Sequence, residues 1–264
     1  MIKNTIIAVK TLDQIISPIA DELQQFEAFF GQTLKAETEP MNSIMRYVLD
    51  SRGKRLRPIL VLFSAKLFGE INEQTLRAAT FVEMIHSATL IHDDVVDNDD
   101  QRRGHASVKA QFDNLSAVLA GDYLLAKAML LIANDTDILN EMLRTTAAMS
   151  EGELMQLSGL NDYLEIITRK TALLMRSCCV IGAMSVGAAE EQIQRISDFG
   201  LHFGQLFQMR DDILDADSPE NVKMATELLP VYQQETLKLL ESFPEGETRE
   251  ALKDLSVFCA TRDL

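Results

Sequence analysis

The sequence predicts an all-α protein, and three observations predict it. Gly and Pro are sparse, at 12 and 6 in 264 residues, and Trp is absent. The chain is rich in Ala, Leu, Ile, Met, Glu, Gln and Lys, which lose least on entering a helix. No β-branched run alternates cleanly with polar residues, whereas apolar residues recur at spacings of three and four.

Leu12, Ile15, Ile16, Ile19, Leu23, Phe26 and Phe30 predict one helix from Leu12 to Leu34, with a turn at Thr-Glu-Pro, 38–40. A short helix from Met41 to Asp50 is expected before Ser-Arg-Gly-Lys. Pro58 then falls in the first turn of a helix that runs to Phe68 and stops at Gly69. From Glu73 to Val96 the apolar residues lie on most sides, which is the pattern of a central helix. Further helices are expected over Leu115–Ala133, Asp137–Leu157, Asn161–Val186, Ala189–Leu214, Val222–Leu240 and Thr248–Cys259. No linker or change of composition divides the chain, so residues 1–264 read as a single domain.

A net charge of −15 argues against a nucleic-acid surface, which needs a basic stripe. Cys178 and Cys179 are adjacent and Cys259 is distant, which gives neither a disulfide framework nor a zinc spacing; a reducing cytoplasm is the expected compartment. The apolar stretch before Lys10 is too short for a signal-peptide core. No run of eighteen uncharged apolar residues occurs, and no membrane span is expected.

The stretch LIHDDVVDNDDQRRG, residues 90–104, drives an apolar helix into a crowd of carboxylates at its trailing end, against the negative end of the helix dipole. Asp93, Asp94 and Asp97 form D-D-x-x-D; Asp93 and Asp97 share a face, Asp94 flanks it, and the three are expected to point at one place. The same spacing returns in QMRDDILDAD as Asp211, Asp212 and Asp215. A single such cluster is commonly a solvated helix end. Two of them, each ending an apolar helix, point to bound cation, because buried charge is costly unless paired or coordinated. Carboxylates without His or Cys beside them favour a hard ion, and Mg2+ held jointly with substrate phosphates fits best. Lys54, Arg55, Arg57, Arg102, Arg103 and Lys170 lie near these signals on an otherwise acidic chain, which suggests a gripped anion.

These residues resemble the trans-prenyltransferases, or polyprenyl diphosphate synthases. GKRLRP at 53–58, the run from His86 through HDDVVDNDDQRRG, Lys170-Thr171 and FQMRDDILD at 207–215 match that family's motifs in order and spacing, and the long-chain, octaprenyl-type branch is the nearest in pattern. The resemblance implies an isoprenoid-synthase-type helical bundle around a central cavity, and condensation of isopentenyl diphosphate with an allylic diphosphate. By position, Asp93, Asp94, Asp97, Asp211, Asp212 and Asp215 would hold Mg2+ ions bridging the allylic diphosphate, with Arg102 and Lys170 on that diphosphate. Lys54, Arg57, His86 and Arg103 would take isopentenyl diphosphate; Thr171 and Gln208 would stabilise the reacting end. A homodimer is implied. Ala88 and Thr89 lie one turn below Asp93, where bulky aromatics close the pocket floor in the family; small residues here imply a chain longer than geranylgeranyl, with Met84, Ile85 or Phe81 deeper as stops.

The match breaks after the second cluster. The family's Gly-Lys and Gly-Lys-x-Thr-x-Pro stretch is replaced by ADSPENVKMATELLPVY, an apparent internal deletion near 217–231, and Lys223 reads as a solvated residue rather than a substitute lysine. The deletion favours a second reading, a catalytically weak or regulatory subunit of a heteromeric synthase, while two complete aspartate triplets argue against it. A terpene cyclase ranks third, because the second cluster repeats D-D-x-x-D. A metal phosphohydrolase would need ligand histidines that His86, His92, His105 and His202 do not provide.

Overall fold

The computed structural model describes residues 10–51, 53–216 and 218–262. The expected helix from Leu12 is broken: α1 (Leu12–Ile16) passes through a 3-10 turn (Ser17–Ile19) into α2 (Ala20–Thr33). Pro18 explains the break, since it has no N–H to give an uninterrupted helix. Thr-Glu-Pro does not end a helix but starts one. Helix α3 (Glu39–Asp50) takes Pro40 in its first turn, where a missing N–H costs nothing. After α4 (Leu56–Phe68) comes α5 (Glu73–Val96), opened by a reciprocal cap between Asn72 and Thr75.

No strand is expected from the sequence pattern, yet Gln101–Arg102 (β1) and His105–Ala106 (β2) form a hairpin in antiparallel register. Arg103 and Gly104 make its two-residue turn at φ 54° and 77°, the left-handed pair that matches strand twist in a tight hairpin. The short α6 (Val108–Gln111) follows, then α7 (Asn114–Ile132) and α8 (Thr136–Leu157). The helix expected over 161–186 is three pieces: α9 (Tyr163–Ile167), a π-helical turn (Thr168–Ala172) and α10 (Leu173–Ser185). Helices α11 (Glu190–Asp215), α12 (Pro219–Leu240) and α13 (Glu247–Thr261) complete the bundle.

Helix α5 is central: Phe81, Val82, Met84, Ile85 and Ala88 are fully buried, and it packs on α4, α7 and α10. Phe26, Phe30, Phe63, Phe199 and Phe203 fill the core from α2, α4 and α11. Helix α10 approaches α4 so closely that a Cβ at Gly182 would lie 2.3 Å from the Val61 carbonyl oxygen. Helix α7 alone among the described helices has the length and apolarity of a membrane span, but it carries Asp122 and Lys127 and lies along α5. Its Leu115, Val118, Leu119, Met129 and Leu130 remain exposed.

Candidate active site

Helices α5 and α11 each end in carboxylates, where their own dipoles oppose further negative charge. Burial, with the Glu153 and Asp97 carboxylates nearby, pushes the Asp93 acid up to about 6. Asp97 stands exposed at the end of α5. Asp94 does not join these two. It is buried, and its Oδ1 accepts a 2.7 Å hydrogen bond from Arg102 Nε, so the expected convergence of three carboxylates is replaced by a pair and an ion-paired neighbour. Arg102 reaches Asp94 because the hairpin folds back over the end of α5. His92 turns away from the aspartates toward α7, its Nε2 3.2 Å from the Val118 carbonyl oxygen.

In the second cluster Asp212 is fixed at both oxygens. Tyr163 donates to Oδ2 at 2.7 Å and Gln208 Nε2 donates to Oδ1 at 2.8 Å. The Gln208 amide oxygen in turn accepts from the Thr171 hydroxyl at 2.7 Å. Thr171 is presented by the π-helical turn, a local insertion that concentrates at functional sites. Lys170, from the same turn, is held by Glu153 at 2.6 Å and Gln156 Oε1 at 2.8 Å, both on α8. Lys170, Thr171, Gln208, Asp212 and Asp215 share one open hollow of about 530 Å³. The positive charge of Lys170 partly offsets the rise of the Asp93 acid.

Asp211, next along α11, turns instead toward Arg262. It is ion-paired with Arg262, whose guanidinium lies 4.3 Å over the Phe207 ring; burial and the adjacent Asp215 and Asp212 push its acid up to about 6. Arg262 lines a second hollow of about 520 Å³ with Lys54, Arg57, His86 and Arg103. Here Arg57 Nε, His86 Nε2 and Arg262 Nε are buried with no hydrogen-bond partner, and Arg57 and the other arginines hold His86 neutral by burial and repulsion. Unpaired buried donors under a concentration of positive charge form a cradle for an anion. The structure thus brings Lys54, Arg57, His86 and Arg103 together, as expected from the sequence.

Below Asp93, Thr89 is half-buried and its hydroxyl donates to the His86 carbonyl oxygen, whereas Ala88, Met84 and Ile85 are enclosed by the core. Lys223 is exposed on α12, and Asp217 lies outside the described residues.

Sequence reasoning passed over Glu153, Gln156, Tyr163 and Arg262. Glu153 and Gln156 carried a signal, a three-residue spacing that places both on one helical face. Tyr163 and Arg262 meet their aspartates only through tertiary packing. Among the described residues no three His, Cys, Asp or Glu side chains form a preformed metal cage. The donors nevertheless suit a hard divalent ion: they are all carboxylate oxygens, and the raised acids of Asp93 and Asp211 mark negative charge that a cation would relieve. An ion held partly by the protein and partly by substrate phosphates needs no closed cage.

The sequence model of the polyprenyl synthetase family matches residues 38–225. Octaprenyl diphosphate synthase of Haemophilus influenzae is 33% identical over 224 residues, covering 81% of this chain and 67% of that protein. Heptaprenyl diphosphate synthase component 2 of Geobacillus stearothermophilus is 35% identical over 219 residues, 79% of this chain and 68% of its own. The fold superimposes on a polyprenyl synthase from Caulobacter crescentus CB15, complexed with calcium and isoprenyl diphosphate, with a TM-score of 0.86, 25% identity, and coverage of 97% of this chain and 99% of that one.

Proposed function

The chain belongs to the polyprenyl synthetase family, and from that premise we propose how its residues carry out trans-prenyl transfer: isopentenyl diphosphate is condensed with an allylic diphosphate such as farnesyl diphosphate, releasing pyrophosphate and giving a long-chain all-trans polyprenyl diphosphate. The observation that carries this reading is the pair of unlike hollows divided by the end of α11. One is carboxylate-lined with Lys170 at its edge; the other is lined by basic side chains with unpaired buried donors.

Asp93 and Asp97, with Asp211, Asp212 and Asp215, would hold the divalent ions, for which Mg2+ is the proposed identity; Asp94 supports them through Arg102. Bound there, such ions would supply positive charge against the diphosphate and the charge that develops on it as it leaves. Lys170 and Arg102 grip the same diphosphate. Lys54, Arg57, His86 and Arg103 hold the diphosphate of isopentenyl diphosphate, with the arginine forks suited to its oxygens. Ionisation leaves an allylic carbocation close to Thr171 and Gln208, whose oxygens stabilise it. The isopentenyl double bond supplies the electron pair of the new C–C bond, and the proton then lost passes to the departed pyrophosphate. No protein nucleophile is needed. The apolar helix faces below must exclude water, which would trap the cation as an alcohol.

Both carboxylate groups and the basic hollow are intact, which supports a working enzyme over a subunit that serves only a partner. The exposed apolar side of α7 supports a homodimer, and a chain without a disulfide framework supports a cytoplasmic setting. The family's lysine-bearing stretch, in whose place the segment near 217–231 stands, is proposed to be dispensable within a single domain.

The test incubates the purified full chain with Mg2+, farnesyl diphosphate and labelled isopentenyl diphosphate, and measures the chain length of extracted products. Long polyprenyl diphosphates that vanish with Asp93→Ala support the reading. Diphosphate binding without elongation overturns it in favour of a partner-dependent subunit.

A further inference from the structure

Among the described residues lining the basic hollow, Glu83 is the one carboxylate, and it is 3% exposed. An acid in that place repels the anion the hollow is built for, so it needs another purpose. Its Oε1 accepts a 2.6 Å hydrogen bond from Arg55 Nη1, while Arg55 Nε donates to Glu27 Oε1 on α2 at 2.8 Å. The same guanidinium lies 4.9 Å over the Phe30 ring. Arg55 is itself buried, and its backbone sits in the left-handed region at φ 54°, immediately before α4. A side chain other than glycine persists there only when its surroundings over-determine it. Arg55 stands between Lys54 and Arg57, the two residues of this stretch that the proposed function assigns to isopentenyl diphosphate.

We infer that Arg55 and Glu83 are positioning residues: a buried strut, fastened to α5 by Glu83 and to α2 by Glu27, that sets the turn on which Lys54 and Arg57 are presented to the isopentenyl diphosphate. The inference rests on the reading of the basic hollow as that substrate's site. Two physical pictures give opposite signs. If Glu83 were only a background charge, Glu83→Gln would strengthen anion binding by removing a repulsion. As a strut it must do the reverse, because the amide removes Arg55's charged partner on α5, leaves only the α2 side fastened and loosens the turn.

Steady-state kinetics on the full chain, with farnesyl diphosphate and isopentenyl diphosphate varied in turn, separates them. Glu83→Gln is expected to raise KM for isopentenyl diphosphate about tenfold, with kcat and KM for the allylic substrate within about twofold. A lowered or unchanged KM for isopentenyl diphosphate overturns the inference, as does an equal loss for both substrates. Should Glu83→Gln fail to fold, Glu27→Gln cuts the same guanidinium from the α2 side, and there too a selective rise supports the strut and an unchanged KM overturns it. Absence of elongation by the wild-type chain under the same conditions overturns the prenyl-transfer reading itself, and the inference with it.

Discussion

Tyr163 donates its hydroxyl to Asp212 across 2.7 Å, from a short helix 49 residues earlier in the chain. With Gln208 on the other oxygen, the carboxylate plane is set before any ion arrives, and each oxygen still has a lone pair to offer. The contact with Asp212 also pushes the Tyr163 phenol well above its ordinary range, burial being the larger cause, so it remains a donor throughout the working pH range. Tyr163→Phe removes the donor and leaves the ring. Outer partners of metal-binding carboxylates typically govern affinity tenfold or more, and the half-saturating Mg2+ concentration should rise about tenfold while the circular dichroism spectrum stays unchanged. Calorimetric titration of Mg2+ into the protein with a non-reactive diphosphate measures it directly.

Asp93 and Asp211 give a pH signature. Their folded acids lie near 6, above the ordinary 3.8, so between these values the folded chain holds protons that the unfolded chain has released. Stability from these groups is therefore fully present below about pH 4 and is lost as pH rises through about 6. Divalent cation competes with the same protons and should bind more tightly above about pH 6. Thermal unfolding scanned across this range should show Mg2+ stabilisation growing with pH, and Asp93→Asn should reduce that growth.

Product length is best probed at Thr89. Ala88 is fully enclosed, so Ala88→Phe should shorten products at an overpacking cost of about 1–3 kcal/mol. Thr89→Phe places the ring from a half-buried position at the same level and should shorten products with less loss of melting temperature. Reverse-phase separation of labelled products compares the two; unaltered length in both would place the floor elsewhere.

Gly53 lies against Arg103. A Cβ there would stand 2.4 Å from Arg103 Nη1 and 2.8 Å from Nη2, so Gly53→Ala must displace the guanidinium. KM for isopentenyl diphosphate should rise about tenfold, with the allylic KM little changed, as measured by initial rates.

The exposed leucines of α7 predict the fifth outcome. If two copies pair there, Leu119→Asp with Leu130→Glu should convert a dimer to a monomer in sedimentation equilibrium without loss of helicity, because both side chains are exposed in the single chain, Leu130 at 77%.

Most helices were legible because their apolar stripes are long. The bounds of α5, expected as Glu73 to Val96, agree with the structure. Local exceptions were hidden by single residues: Pro18 splits one helix, and Pro40 starts the next rather than ending the last. The Arg103-Gly104 turn is a weak hairpin signal when each strand is only two residues long. At the site, the two aspartate repeats, the basic stretch and Lys170-Thr171 were readable because each is local in sequence. What pairs with them was not. Asp94 with Arg102, Asp211 with Arg262 and Asp212 with Tyr163 depend on how separate helices and a hairpin meet, and periodicity carries no trace of that. The clustering of three carboxylates expected at the first site failed for this reason.

The π-helical turn at Thr168–Ala172 amounts to one surplus residue in an otherwise continuous helical path from Tyr163 to Ser185. Each residue of a regular helix advances the bearing of its side chains by about 100°. Removing one residue from this turn would let the path relax into an ordinary helix and gain better hydrogen bonds; because the wider turn absorbs the surplus residue, the flanks would nearly keep their bearings, but the side chains left inside the turn would be re-aimed by up to about that angle. Lys170 and Thr171 would then no longer point into the hollow they share with Asp212 while α9 and α10 both kept their seats. A more comfortable backbone here is incompatible with the site, and a one-residue deletion would trade catalysis for regularity.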